Sequence, residues 1–140
     1  MTQRAGKWAD GPGLVPLRAV LGTVFLMHGG QKLFVWGIAG VTGFMASLGI
    51  PLPQVAAVVV TAVELLGGLA ILLGFRARWA GLLLAGDMAV AILRVKLHGG
   101  FFSPKGFELE LLLLGAALTL ALSGSGGMSL DKALGRSGRE

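Results

Sequence analysis

Four stretches of this chain are long and mostly apolar, and they limit its fold more than any other feature. They cover residues 14–34, 54–74, 79–97 and 106–123. A helix needs ~20 mostly apolar residues, in a range of about 17–25, to cross the hydrocarbon core of a bilayer. Each stretch must be helical there, because lipid cannot satisfy exposed backbone N–H and C=O groups. The pattern predicts an all-α fold, a membrane-spanning four-helix bundle.

The composition supports a membrane protein and excludes several other classes. Hydrophobic residues make up 54% of the 140 residues and charged residues only 14%, whereas soluble domains contain about 25% charged residues. Glycine is frequent, with 24 residues, and 10 of them lie within the four apolar stretches, where small residues let helices approach closely. Because the chain has no cysteine, disulfides, thiolate nucleophiles and cysteine-ligated metals are excluded.

The net charge of +5 does not indicate nucleic-acid binding. The basic residues stand at the ends of the apolar stretches rather than in one basic run. Such a distribution favours anionic lipid headgroups as partners. We therefore expect the lipid bilayer as a partner and no nucleic acid.

The connection between the first two stretches has a helical pattern of its own. Residues 36–53 contain apolar side chains at helical spacing but are too few to cross a bilayer. We predict a short interfacial helix between helices one and two, followed by Pro51 and Pro53, which end it and start helix two.

Lysine and arginine are more frequent on the side of the two chain termini. Four spans place both termini on one side, which has seven basic residues against four on the other side. The seven are Arg4, Lys7, Arg76, Arg78, Lys132, Arg136 and Arg139, and the four are Lys32, Arg94, Lys96 and Lys105. The positive-inside rule predicts a multi-pass plasma-membrane protein with both termini in the cytoplasm. Arg18, near the start of helix one, is expected to snorkel to the headgroups on that side.

These boundaries divide the chain into three segments. Residues 1–13 form a cytoplasmic N-terminal segment, residues 14–123 the transmembrane domain, and residues 124–140 a polar cytoplasmic tail. We expect the tail to be mostly disordered, apart from a helical turn at 129–134. The first apolar stretch is longer than the core of a secretory signal and lacks a clear cleavage site, so we interpret it as a retained helix.

Ionisable residues at membrane depth cost at least ~2.5 kcal/mol each, so they mark candidate functional sites. The candidates, which lie within or beside the apolar stretches, are His28, Lys32, Glu64, Asp87, Arg94 and Glu108. Counted along the helices at 1.5 Å per residue, they fall in the half of the membrane remote from the termini, or near mid-membrane at the inner limit of that half. We predict one polar pocket that opens outward. Glu110 is expected to point elsewhere, toward the headgroups.

Two interpretations of this pocket stay open. The charges can be structural ion pairs that fix the register of the bundle, or they can form a ligand site or proton relay beside a quinone. A metal site is a weaker interpretation, because His28 and His98 are two histidines without matching carboxylate spacing. We therefore predict no metal and assign no catalytic residue.

Several short motifs resemble the DoxX family of bacterial membrane proteins. Helix one contains Arg18 followed by His28-Gly29-Gly30-Gln31-Lys32, and helix two contains Glu64-Leu65-Leu66-Gly67-Gly68. The linker motifs Gly43-Phe44 and Leu48-Gly49-Ile50-Pro51, the later Leu73-Gly74-Phe75 and Arg78, and the opening Gly106-Phe107-Glu108 of helix four complete the set. The resemblance covers residues 18–124 and rests on the order and spacing of these motifs.

The resemblance implies a four-helix fold in the bacterial inner membrane and an association with redox proteins. Relatives include a subunit of thiosulfate:quinone oxidoreductase, a protein linked to oxidoreductase complexes, and membrane chaperones for receptors. Family motifs supply Arg18, His28, Lys32, Glu64 and Glu108. Asp87 and Arg94 come from depth and spacing alone.

Two functions of different class follow. The first is an accessory subunit of a membrane redox system, with a redox partner protein, whose pocket binds a quinone headgroup or a small anion and relays protons. Quinone is the one cofactor this function suggests, and an enzymatic role as a quinone-linked oxidoreductase subunit is left open. The alternative is a non-catalytic scaffold or chaperone for another membrane protein. A transporter would require a homo-oligomer, because one four-helix unit offers little pathway.

Overall fold

The computed structural model describes residues 11–135, and every regular element in this range is helical. Six α-helices follow in chain order: α1 (Val15–Gly30), α2 (Gly37–Ser47), α3 (Pro53–Leu73), α4 (Ala77–Ala91), α5 (Glu108–Ser123) and α6 (Leu130–Ala133). The π-helical segments Gln31–Trp36 and Ile92–Lys96 continue α1 and α4. Short 3₁₀ turns, Pro12–Leu14 and Leu97–Gly99, complete the helical elements. The all-α class is confirmed.

Part of the predicted organisation extends beyond this range. Residues 1–10 of the N-terminal segment and residues 136–140 of the tail lie outside the described residues. The same holds for four of the basic residues in the orientation count, Arg4, Lys7, Arg136 and Arg139.

Two helical stretches, Pro12–Ser47 and Pro53–Leu73, are long and apolar enough to cross a membrane by length and composition. The 16 residues of α5 span about 24 Å at 1.5 Å per residue, which is less than the ~30 Å of a hydrocarbon core. The 15 residues of α4 are also too few without the segment that continues them. Crossing by all four predicted spans therefore stays a prediction.

The four longer helices pack as two pairs. α1 packs along α3, α4 packs along α5, and α3 joins the pairs by contacting α4. A shared core contains buried side chains from each helix, among them Phe25, Ile71, Leu84 and Leu120. Both pairs are in close contact at glycines: a Cβ on Gly68 would lie 2.8 Å from the backbone nitrogen of Leu26, and one on Gly81 would lie 2.7 Å from the carbonyl oxygen of Ala117.

The predicted short helix between helices one and two is present as α2. The chain changes direction at Gly37, where φ is +72° and ψ is 161°, a conformation that glycine adopts at little cost. Val41 and Met45 of α2 are then buried against Ala57 of α3. The position of α2 at a membrane interface stays a prediction.

The prediction that Arg18 reaches lipid headgroups is wrong. Its side chain is 4% exposed, and it caps the end of α3 by donating from Nε to the Ile71 carbonyl at 3.1 Å and from Nη2 to the Leu72 carbonyl at 3.2 Å. Nη1 donates to three carbonyls after α5, those of Ser125, Gly127 and Met128, at 3.2, 3.3 and 3.2 Å. The last carbonyls of a helix need such partners, and the guanidinium group supplies them inside the protein.

The expectation of a mostly disordered tail is also wrong for residues 124–135. Asp131 is 6% exposed and accepts hydrogen bonds from the backbone N–H groups of Arg76 at 2.7 Å and Ala77 at 3.2 Å, at the start of α4. The expected helical turn is present as α6, capped by the Ser129 hydroxyl. We call Arg18 together with residues 124–131 the terminal clasp.

Candidate functional site

The half of the bundle opposite the terminal clasp contains a cavity of about 610 Å³. It lies between the last turns of α1, the helix α2, the first half of α3, the second half of α4 and the start of α5. Its walls are largely apolar and include Phe25, Phe44, Met45, Val60, Leu83 and Leu113. Concave, mostly apolar cavities with a few convergent polar groups are typical small-molecule sites.

An ion pair between Lys32 and Glu64 lies in the wall of this cavity. Lys32 Nζ is 2.8 Å from Glu64 Oε2, and the side chains are 14% and 4% exposed. The close contact of α1 and α3 positions the pair, because a Cβ on Gly29 would come within 2.8 Å of the backbone nitrogen of Leu65. The structure therefore brings together two residues whose opposite charges and similar depth were visible in the sequence.

Asp87 of α4 places a second carboxyl group beside Glu64. The Asp87 and Glu64 carboxyl groups interact directly, and Lys32 lies within electrostatic range of both. Asp87 Oδ2 is buried and accepts no hydrogen bond from a donor in residues 11–135. Lys32 is thus the cation beside two neighbouring carboxyl groups, those of Glu64 and Asp87.

Further charged groups come from the π-helical segment after α4 and from α5. Arg94 lines the cavity, is exposed, and has no hydrogen bond or ion pair within the described range. Lys96 donates from Nζ to the carbonyl of Pro104 at 2.7 Å and lies 3.7 Å from Oε1 of Glu110. Glu110 Oε2 is buried and receives no hydrogen bond from any described residue. Sequence reasoning did not place Lys96 or Glu110 in the site.

The predicted roles of the two glutamates at the start of α5 are reversed. Glu108 does not line the cavity, because its Oε1 accepts a hydrogen bond from the backbone N–H of Ser103 at 2.9 Å. Glu110 lines the cavity, so the prediction that it points toward the headgroups is wrong. Two residues along a helix correspond to a rotation of about 200°, and the loop before α5 determines which glutamate turns inward.

The two histidines lie apart. His28 lines the cavity and is exposed, whereas His98 sits in the 3₁₀ turn Leu97–Gly99 and does not line the cavity. The ring of Trp36, which also lines the cavity, lies 5.8 Å from Lys32 Nζ, in range of a cation–π contact. No local pattern in the sequence distinguishes this tryptophan from one at a membrane boundary.

The arrangement is chemically versatile. Lys32 and Arg94 can offer positive charge and hydrogen-bond donors to a carbonyl or an oxyanion. Glu64 and Asp87 can hold and pass a proton, since linked ionisable groups at membrane depth form proton relays in other membrane proteins. The apolar walls suit the ring or chain of an amphipathic ligand.

Comparison with known proteins agrees with the sequence motifs. The DoxX family model matches residues 13–98. CatD of Bacillus subtilis (strain 168), provisionally named an oxidoreductase, is 37% identical over 119 residues that cover 85% of this chain and 84% of that protein. The inner membrane protein YphA of Escherichia coli (strain K12) is 30% identical over 125 residues, covering 85% of this chain and 88% of YphA.

A third relative is the membrane protein Rv3486 of Mycobacterium tuberculosis (strain ATCC 25618 / H37Rv). It is 34% identical over 140 aligned positions, covering 91% of this chain and 85% of Rv3486. No solved structure matches the chain significantly. The family match includes all the described helices from α1 to α4, with Lys32, Glu64 and Asp87. The chain therefore belongs to the DoxX family of membrane proteins.

Proposed function

We propose that α1, α3, α4 and α5 all cross the bacterial inner membrane, with α2 at its outer interface. The segments that continue α4 to Gly99 lengthen it to about 35 Å at 1.5 Å per residue. Large apolar side chains are exposed on both shorter helices, among them Leu82 and Leu93 on or beyond α4 and Leu112 and Leu122 on α5. Exposed apolar surface of this extent is accommodated by lipid rather than by water.

Both chain ends then lie in the cytoplasm. The terminal clasp joins the first and last described segments on one side of the bundle, where the backbone N–H of Gly127 donates to the carbonyl of Gly11 at 3.0 Å. The excess of lysine and arginine on that side supports its cytoplasmic location.

Within this arrangement the protein serves as an accessory subunit of a membrane redox system. The observation that supports this function is the cavity of about 610 Å³ with apolar walls and the Lys32–Glu64–Asp87 cluster. It accepts a quinone headgroup or a small anion, with Lys32 or Arg94 beside the oxygen atoms and Glu64 or His28 as proton carrier. A redox partner protein exchanges the electrons. The oxidoreductase name of the relative CatD is consistent with this role.

The test is native mass spectrometry of the protein extracted in its own lipids. We expect a bound quinone or a redox partner in the wild-type spectrum, lost in Glu64→Gln and kept in Lys105→Gln, whose side chain is exposed outside the cavity. Wild-type protein that carries neither, or ligand retention that is unaffected by Glu64→Gln, would contradict the proposal.

A scaffold or chaperone role is the second candidate. The observation that favours it is the position of the Lys32–Glu64 pair at the close contact of α1 and α3, where an ion pair can fix helix register. In that case Glu64→Gln lowers the melting temperature, and a partner protein co-purifies without any small ligand.

A further inference from the structure

Hydrogen-bond acceptors outnumber the donors that reach them in the cavity wall. Three carboxyl groups line the cavity, those of Glu64, Asp87 and Glu110. Lys32 engages Glu64, and Lys96 lies beside Glu110, so two lysines serve three carboxyl groups.

Two of the remaining acceptors are buried. These two atoms, Asp87 Oδ2 and Glu110 Oε2, have almost no accessible surface and receive no hydrogen bond from any donor in residues 11–135. Buried polar atoms in proteins are nearly always paired, and an unpaired one destabilises the structure. Both residues line the same cavity. Rotation of either carboxyl group about its last side-chain bond presents the unpaired oxygen to the cavity, where a ligand that donates hydrogen bonds can pair it and a ligand that only accepts them cannot.

This criterion separates the two redox forms of a quinone. The oxidised form presents two carbonyl oxygens, which only accept hydrogen bonds and are repelled by carboxylate oxygens. The reduced form presents two aromatic hydroxyl groups, and each can donate to a carboxylate while its oxygen accepts from a cation. A small anion has the same mismatch as a carbonyl and adds a negative charge beside the carboxyl groups.

We infer that the cavity binds the reduced, dihydroxy-aromatic form of a quinone in preference to the oxidised form, with its hydroxyl groups donating to Asp87 and Glu110. The aromatic side chains of Phe25 and Phe44 in the wall suit the ring. Arg94, which has no ion pair within the described residues, supplies a donor to a hydroxyl oxygen. The inference rests on the proposed quinone-type ligand and specifies its redox state.

Three matched ligands test the preference on the purified full-length protein under anaerobic conditions. They are trimethylhydroquinone, trimethylbenzoquinone and the 1,4-dimethyl ether of the hydroquinone, which has the same ring but no hydroxyl donor. Calorimetry gives each dissociation constant. We expect the hydroquinone to bind about tenfold or more tightly than either of the others, since a site with buried polar groups rejects a ligand that leaves them unpaired.

The outcomes distinguish the inference from the proposed function. Equal or tighter binding of the benzoquinone overturns the preference and leaves quinone binding itself intact. Binding of the dimethyl ether as tight as that of the hydroquinone also overturns the preference, because donated hydrogen bonds would then be irrelevant. Failure of all three to bind overturns the preference and removes support for the quinone site.

Two variants examine the cause of the preference. Asp87→Asn and Glu110→Gln each replace an acceptor oxygen by an N–H donor that can reach a quinone carbonyl. Each is expected to lower the hydroquinone-to-benzoquinone affinity ratio by at least about fivefold, as the loss or gain of one buried hydrogen bond, whereas Lys105→Gln leaves the ratio unchanged. Because Asp87 lies beside Glu64 and Lys32, Asp87→Asn can prevent folding, and Glu110→Gln then provides the test. A folded Glu110→Gln protein with the wild-type ratio overturns the assignment of that oxygen.

Discussion

Buried charges in this chain have two kinds of partner. Every side-chain nitrogen of Arg18 and both carboxyl oxygens of Asp131 are hydrogen-bonded to backbone groups at or just beyond helix ends. Lys32, Glu64 and Asp87 instead lie beside one another at a cavity, and part of their capacity is left for a ligand. The first kind fits a structural role, and the second kind is where ligand chemistry is to be sought.

Arg18→Lys should destabilise the protein by about 2–4 kcal/mol. Lysine retains the charge but lacks the fork of donors that reaches five carbonyls on two segments, and buried groups are then left without partners. Thermal unfolding in detergent measures the effect. Lys105→Gln is the control, since an exposed substitution changes stability by only about 0.5 kcal/mol. Equal melting of Arg18→Lys and wild type would show that the guanidinium contacts are dispensable.

Lys32→Met should cost more stability than the double substitution Lys32→Met/Glu64→Leu. The single change leaves Glu64 buried without its cation, which costs about 3–5 kcal/mol, whereas replacement of both partners by apolar residues is often nearly neutral. A double-mutant cycle in detergent, with each single variant, gives the coupling. If the double variant is stable but no longer binds hydroquinone, the pair is functional. Additive losses would mean that the two residues are not coupled.

At the scale of single residues, the sequence predicted which charged residues lie together better than it predicted what each of them contacts. Opposite signs at similar depth were sufficient to bring Lys32 and Glu64 into one group. The role of Arg18 depends on carbonyls 53 to 110 positions away, which no local pattern reveals. Glu108 and Glu110 were exchanged because helical phase depends on the start of α5 and on the hydrogen bond from Ser103.

Glycines determine how closely the helices approach, and neighbouring glycines differ in this respect. A Cβ on Gly29 would clash with the backbone of α3 at 2.8 Å, whereas one on Gly30 would meet nothing within 4 Å. The contact at Gly29 is one turn before Lys32. Separation of α1 from α3 at this point should therefore lengthen the Lys32–Glu64 ion pair.

Gly29→Ala should lower the melting temperature and weaken ligand binding, while Gly30→Ala should leave both near wild type. The expected cost of Gly29→Ala is about 1–3 kcal/mol, as for other overpacked sites. Alanine is also the better helix former at either position, so Gly30→Ala can be slightly stabilising. Matched melting and binding curves of the two variants provide the measurement. If Gly29→Ala behaves like Gly30→Ala, the helices are not held at this contact.

Helix boundaries could be predicted from the sequence where proline or glycine marks the end of a helix. The second stretch, predicted over 54–74, is α3 at Pro53–Leu73, because a proline and a glycine mark its ends. The π-helical segments Gln31–Trp36 and Ile92–Lys96 had no signal in the hydrophobic pattern. They supply Lys32, Arg94 and Lys96 to the cavity, in keeping with the tendency of π-helical turns to occur at functional sites.

The two ends of the bundle differ in construction. One end is fastened by the terminal clasp, and the other contains the cavity and its charged groups. The grouping of ionisable residues in the half remote from the termini followed from counting residues along each span. The clasp did not, since the tail composition suggested disorder and only the fold brings Asp131 to the start of α4.

Single-cysteine labelling should establish the topology of the whole molecule. The natural chain has no cysteine, so Lys105→Cys and Ala133→Cys each introduce one thiol without background. Four spans with both ends in the cytoplasm predict that a membrane-impermeant maleimide on intact cells labels position 105 and not position 133. Position 133 should react only after the cells are opened. Labelling of both positions on intact cells would refute the four-span orientation.

The contacts of Arg18 also set an order of events during synthesis. Its acceptors Ser125, Gly127 and Met128 follow it by 107 to 110 positions, so at about 5–20 residues per second they leave the ribosome roughly 5–20 s later. During that interval the first helix has an arginine whose final acceptors do not yet exist. The helix α1, the first of the described α-helices along the chain, therefore completes its contacts among the last. A nascent chain interrupted before residue 125 lacks three of the five carbonyl groups that bind the Arg18 guanidinium in the complete fold.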